Sequence, residues 1–236
     1  MNYFYFNNFN SITDKQCFLV GNDELYSANE QIESIDIEGG RIGELIREKG
    51  YKNLTIKRTL QINDEDYNKV NELLEWLKII SDNRLQFKKH KNKCYKVKYV
   101  NIESIKNIGG ATRIEVAFIC YPHIYNFEER EEALNIGENT INIKGIGALP
   151  ILKFSCSSKT NVTIAVNGQE TIIENCEGNI TLDTSLMLCN SSTKGNLKVN
   201  GDYITLVKGD NTINLTSSAD GAVSNITVKR NEVYLF

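Results

Sequence analysis

The chain is poor in the residues on which catalysis and nucleic-acid binding usually rest. Its 236 residues include two histidines, His90 and His123, and one tryptophan, Trp76. No Gly-x-Ser-x-Gly segment occurs, which excludes the nucleophile elbow of the α/β-hydrolases. Positive charge is not in excess: 27 Lys and Arg stand against 30 Asp and Glu, a net charge of -3 and a pI near 5.6. That balance argues against a nucleic-acid binder, which carries a basic surface. No apolar run reaches the roughly eighteen residues that a membrane helix needs. The opening MNYFYFNNFN has neither a basic start nor a long apolar stretch, so a Sec signal peptide is not expected.

What remains is the composition of an ordinary globular protein, 41% hydrophobic and 24% charged. The length suits one large domain or two modest ones, each able to bury a core without disulfides. The six cysteines, Cys17, Cys94, Cys120, Cys156, Cys176 and Cys189, are therefore expected as reduced thiols of a protein made in a cytoplasm. Cys120 and Cys156 lie in apolar runs and should behave as small buried hydrophobes. Six N-x-S/T sequons begin at Asn53, Asn161, Asn179, Asn190, Asn214 and Asn225. They read better as turn residues opening β-prone runs than as glycosylation sites.

The hydrophobic period divides the chain. YFYFN, QCFLVG, ESIDIEG and NLTIKRTLQI read as short strands, with apolar and polar residues alternating. Between Asn63 and Ser81 the period changes: Val70, Leu73, Leu74, Leu77 and Ile80 fall on one helical face. Asn63 is the expected N-cap, with Asp64, Glu65 and Asp66 in the first turn, where the helix dipole favours negative charge. RLQF, KCYKVKYVNIESIKNI and TRIEVAFICYP return to strand, with Gly109-Gly110 as a turn and Pro122 as punctuation. From about Glu128 only short strands and Gly, Asn and Asp turns follow. Asn167-Gly168 and Asn200-Gly201 are the strongest hairpin signals. This beat predicts a β-sandwich. The expected fold class is mainly β with one α-helix: a sandwich-like domain with a packed helix over residues 1–128 and a second β-sandwich over 129–236.

Candidate chemistry is sparse. Gly39, Gly40 and Gly43 surround Arg41, but GGRIGE lacks both the Gly-Lys-Ser/Thr of a phosphate loop and the spacing of a dinucleotide fingerprint. A strand follows it rather than a helix, so Gly40, Arg41 and Gly43 are expected to shape a turn. His90 and Cys94 with Cys120 and His123 have the residue types for tetrahedral zinc, but the spacing is loose; two surface histidines and two packed thiols are the plainer reading. Lys88 to Lys93, KKHKNK, lies between β-prone runs and reads as a solvated hairpin tip. Beyond Tyr125 the aromatics are few (Phe127, Phe154, Tyr203, Tyr234 and Phe236) and there is no further histidine, so a galectin-type sugar site is missing. No catalytic residue, cofactor or metal is expected.

The order of features resembles the distal tail proteins of siphophages, especially those infecting Gram-positive bacteria. FNNFNS (Phe6 to Ser11) is similar to the family's opening, and IEGGRIGEL (Ile37 to Leu45) to its strand and Gly-Arg-x-Gly turn. The helix ending in EWL (Glu75 to Leu77) resembles the segment before the family's next strand, and VAFICYPHIY (Val116 to Tyr125) the strand and proline that close its first domain. GALPILKF (Gly147 to Phe154) and KGDNTINL (Lys208 to Leu215) resemble segments of its second. The resemblance implies a structural tail-tip hub rather than an enzyme. Its first domain would form a ring, a hexamer in the tail, that joins the tail tube protein to the tail-associated lysin or tip protein. DNA would pass through the lumen only as cargo, which calls for a neutral or acidic channel. The second domain would be a galectin-like sandwich able to hold a receptor-binding protein. The implied location is the virion tail tip, after synthesis in the host cytoplasm, with no membrane insertion. Gly40, Arg41 and Gly43 would then form a turn at a subunit interface. The alternative is a carbohydrate-binding adhesion module acting through the second domain.

Overall fold

The computed structural model describes residues 2–21, 26–36, 44–64, 66–129 and 131–235. The described chain is mainly β with a single α-helix, as the alternating patterns predict, and it divides into two compact units built on Met1–Phe127 and Glu128–Tyr234.

In the first unit the strands are β1 (Phe4–Phe6), β2 (Phe9–Asn10), β3 (Cys17–Val20), β4 (Glu30–Asp36), β5 (Glu44–Tyr51), β6 (Leu54–Ile62), β7 (Arg84–Phe87), β8 (Lys93–Ile108) and β9 (Ala111–Asn126), with α1 (Tyr67–Lys78) between β6 and β7. Antiparallel pairing runs β2–β1–β7–β8–β9–β6–β3. β6 alternates without a break, with Leu54, Ile56, Leu60 and Ile62 buried and Thr55 and Lys57 exposed, so its register is fixed by which face meets the core. Arg58 takes an inward position in the same strand. Its guanidinium lies over the rings of Tyr26 and Phe87, 4.8 and 4.9 Å from their centroids. Pro122 does not end β9. The strand passes through it to Asn126 because residues 121–123 bulge out between the pairs Val97↔Cys120 and Tyr95↔Ile124. A proline needs no ladder hydrogen bond at a bulge.

The helix begins later than the sequence predicts. Asp66, not Asn63, is the N-cap, its side chain accepting from the Asn68 N–H, and the first turn holds no acidic residue. The preceding stretch is held out of helix by Thr112, whose hydroxyl donates to the Asp64 carbonyl at 2.7 Å. Leu73, Trp76 and Leu77 face the sheet, where Trp76 stacks on Phe4 with 5.6 Å between centroids. Its indole N–H donates to the Phe6 carbonyl at 3.1 Å. The other end of the helix is closed by Asn7. Its Nδ2 donates to the Trp76 and Ile79 carbonyls at 2.9 and 2.6 Å. Its Oδ1 accepts from the Ser81 N–H at 2.7 Å and the Asp82 N–H at 3.0 Å. One buried side chain thus satisfies groups that every helix terminus leaves open. Ser11, at the end of the same motif, accepts the Phe4 N–H at 3.2 Å.

The second unit holds β10 (Glu131–Ala133), β11 (Gly137–Ala148), β12 (Ile151–Val166), β13 (Gln169–Asp183), β14 (Leu188–Ser191), β15 (Gly195–Asn196), β16 (Val199–Asn200), β17 (Leu206–Ser217), β18 (Val223–Lys229) and β19 (Glu232–Tyr234). The β12–β13 hairpin turns at Asn167-Gly168, whose φ angles of 50° and 88° suit the primed turn the dipeptide predicts. Both strands are long and bent. Register shifts between Cys156 and Val162 divide them: the far half pairs with β17 and β16, the near half with β18 and β14. One hairpin therefore contributes to two sheets, and bulges are the usual means of such a corner. One apolar cluster lies between them, including Ile141, Phe154, Ile164, Ile180, Leu215 and Val228. Asn200-Gly201 is not a hairpin turn. β16 pairs with β13, and Gly201 sits where a Cβ would lie 2.4 Å from the Glu170 carbonyl oxygen.

A short duplication lies in this unit. Gly137–Ile143 reads GENTINI and Gly209–Leu215 reads GDNTINL. The two segments pair antiparallel about Thr140↔Thr212, so a local two-fold axis relates them. Asn139 accepts the Asn135 N–H at 2.9 Å and donates to the Asn135 and Gly137 carbonyls at 2.8 and 3.0 Å. Asn211 repeats the set on Val207 and Gly209 with the same three distances. Asn211 is fully buried and also accepts from Asn167 Nδ2 at 2.9 Å.

Candidate assembly interface

Gly40, Arg41 and Gly43 lie outside the described residues. The strands that flank them do not. β4 and β5 form a two-stranded antiparallel sheet, from Glu30↔Tyr51 to Asp36↔Glu44, and the expected turn is the segment that joins them. Among the described residues this arm has no third strand. Ile32 on it is 59% exposed. β5 is an element that sequence reasoning missed, because GELIREKG does not alternate cleanly.

The second open edge is on β8. β7 covers only its start, through Arg84↔Lys96 and Leu85↔Tyr95, and the Val97 N–H donates to the Asn83 carbonyl. From Lys98 to Ile108, β8 has β9 on one side and, among the described residues, no strand on the other. Gly109 and Gly110, at φ 60° and 81°, make the predicted turn into β9. Tyr99, Ile105 and Ile108 are 51%, 46% and 49% exposed along this edge. An edge strand with apolar side chains and unpaired backbone groups is a template for another chain.

The exposed face of β6, β9 and β8 carries charges of both signs, with Arg113 and Lys98 held by the Gln61 and Asn53 side-chain oxygens beside two ion pairs. Lys57 pairs with Glu103 at 2.7 Å and Lys106 with Glu115 at 3.1 Å. The nearby Ser104 hydroxyl and the Lys106 ammonium hold the Glu115 carboxyl below its usual range. Lys88, Lys89 and Lys91 stand exposed on the β7–β8 turn, where the sequence places a solvated tip.

The four residues weighed for zinc are spread rather than gathered. Cys94 and Cys120 are buried in β8 and β9, and burial pushes the Cys120 thiol up to about 12. His123 sits edge-on to Tyr51 with 4.9 Å between centroids, and burial pulls its imidazole below the ordinary value. His90 contacts the rings of Phe87 and Tyr95. Among the described residues no group of three His, Cys, Asp or Glu side chains converges as a metal site. All six cysteines are buried and unbridged.

In the second unit the described aromatic rings are engaged. Phe154 is in the core, Tyr203 packs against it, and the Tyr234 hydroxyl donates to Glu232 at 2.6 Å. Glu232 is itself buried. It accepts the Lys144 and Gly145 N–H groups at 3.3 and 3.2 Å, which closes the irregular end of β11. Burial opposes its ionisation, but Tyr234, these two N–H groups and Arg230 outweigh it and hold the carboxyl below its usual range.

These features define a class: a mainly β chain of two units, with open strand edges and, among the described residues, no converging acids, thiols or imidazoles. No protein-family model matches the chain, and no curated protein matches it. Among solved structures it is similar to the crystal structure of the SPP1 Dit protein (gp 19.1), described as a paradigm of the hub adsorption apparatus in phages that infect Gram-positive bacteria. The superposition covers 100% of both chains with a TM-score of 0.69 at 12% sequence identity. The two chains share a fold over their whole lengths.

Proposed function

We propose that the chain is a structural hub of a phage tail tip, or of a phage-derived tail particle. The observation that carries this reading is the full-length likeness in fold to a hub adsorption protein. Copies of the first unit form a ring, a hexamer in the tail, between the tail tube protein and the tail-associated lysin or tip protein. The second unit, a galectin-like sandwich, stands ready to hold a receptor-binding protein. The role is one of fitting against rigid partners, not of catalysis, and its place is the virion tail after synthesis in the host cytoplasm.

Two further features support it. The open edges of β8 and of the β4–β5 arm suit contacts between copies, because a closed ring of head-to-tail contacts leaves no edge unpaired. The ion pairs Lys57–Glu103 and Lys106–Glu115 give the exposed sheet face both signs of charge. Glu103 and Glu115 there offset part of the positive charge, and a wall with fewer free cations holds DNA less than a basic channel would. The test is particle mass in solution, by light scattering, alone and with the next protein of the tip. A hexamer-sized particle, seen as a ring by electron microscopy, is expected. A chain that stays monomeric under both conditions refutes the hub. A glycan array that shows strong binding would favour the adhesion module instead.

A further inference from the structure

Two shortages in the first unit match one another. Among the described residues the arm has no third strand, and two strands alone hold poorly in water. The edge of β8 has, among the described residues, no neighbour from Lys98 to Ile108. Natural proteins blunt such an edge with proline or with outward charge. This stretch has no proline, and its charges are used within its own sheet. Lys98 donates to Asn53 Oδ1 at 2.8 Å, Glu103 pairs with Lys57, and Lys106 pairs with Glu115. A register shift between Ile102 and Ser104 divides the edge into two regular runs. The arm strands, of 7 and 8 residues, are long enough to span either run.

We propose that in the assembled particle the β4–β5 arm of one copy adds to the β8 edge of the next. This rests on the ring reading and goes beyond it by naming both halves of the contact. A second copy is the fitting occupant because every copy supplies one arm and one edge, so the numbers match in any closed ring. The contact is heterologous, since the surface given differs from the surface received. Backbone hydrogen bonds hold such an added strand, and Ile32, Tyr99, Ile105 and Ile108 lose exposure on it.

The test is a cross-link between two differently tagged variants, Ile32→Cys and Ile105→Cys. Both sites are exposed, while the native thiols are buried, with those of Cys17, Cys120 and Cys176 pushed up to about 12. Buried thiols of that kind are inert to a maleimide. After mixing, with the next tip protein present, a short bis-maleimide is expected to give a product carrying both tags, absent from either variant alone. On assembly of the unmodified chain, amide exchange over residues 99–108 is expected to slow by about tenfold or more. Full-mass particles with neither the mixed product nor the slowing overturn the arm-to-edge contact and leave the ring standing. A chain that remains monomeric throughout overturns both. Ile105→Lys serves as a second variant: it is expected to keep the monomer's circular dichroism and lose assembly, and unchanged assembly by it overturns the contact.

Discussion

The twin asparagines of the second unit allow one experiment to separate a hydrogen bond from its burial. Asn139 and Asn211 make the same three bonds with the same lengths to the turns that precede them. They differ in surroundings, since Asn139 is half-buried while Asn211 is at 0% exposure and also holds Asn167. A typical intramolecular hydrogen bond contributes about 1 kcal/mol net, and a buried group left without a partner costs about 1–3 kcal/mol. Asn139→Ala lets water replace what is lost and should cost about 1 kcal/mol. Asn211→Ala removes a fully buried side chain together with its bonds to the Val207 N–H and carbonyl, the Gly209 carbonyl and the Asn167 amide, and should cost about 3 kcal/mol. Urea unfolding read by hydrogen exchange in peptides of residues 135–143 and 207–215 measures both. Equal costs at the two sites, or a larger one at Asn139, would refute the argument that burial sets the weight of the motif.

Asn7→Ala should destabilise the first unit by about 3 kcal/mol, because it leaves two helix carbonyls and two N–H groups open. The fluorescence of the lone Trp76 during denaturation reports that loss, and a change under about 1 kcal/mol would contradict the capping role. Gly145→Ala places a Cβ 2.2 Å from the Val233 carbonyl oxygen, whereas Gly209→Ala meets nothing within 4 Å and carries only the strain of its φ of 97°. The first should cost about 3 kcal/mol and the second about 1–2 kcal/mol, by urea midpoints, and the reverse order would count against the packing of β11 on β19. The Glu232 carboxyl is held below its reference value of 4.5, so its contribution is present above that pH and is lost as pH falls through the lower folded value. Glu232→Gln should therefore flatten the acid limb of a stability-against-pH curve and leave the slope near neutrality unchanged; an unaltered acid limb would mean the carboxylate is not what closes β11.

Much of the local structure was legible because it depends on neighbours in sequence. KCYKVKYVNIESIKNI is β8 over the stretch its alternation marks, and Asn167-Gly168 turns because asparagine and glycine tolerate positive φ. The helical stripe through Leu73 and Leu77 is the buried face. Its start was misplaced because Asn63 and Asp66 are both competent caps, and the choice falls to Thr112, 48 residues from its partner Asp64. The duplicated GENTINI and GDNTINL stand in the sequence as a repeat. Comparing the chain with itself finds it; reading along the chain for periodicity does not.

By itself, then, the sequence determined the mainly β class, the single helix and its apolar face, and the burial of the thiols in apolar runs. Side-chain period and turn chemistry act over a few residues and need no partner. Only the tertiary structure decided that one bent hairpin serves two sheets and that Asn7 closes a helix end 69 to 72 residues away. It also decided that Pro122 rides on a bulge and that β8 is left, among the described residues, with an open edge. Each of these depends on which distant strand fills, or fails to fill, a backbone hydrogen-bonding position, and pairing between strands far apart in sequence is set by how the whole core closes.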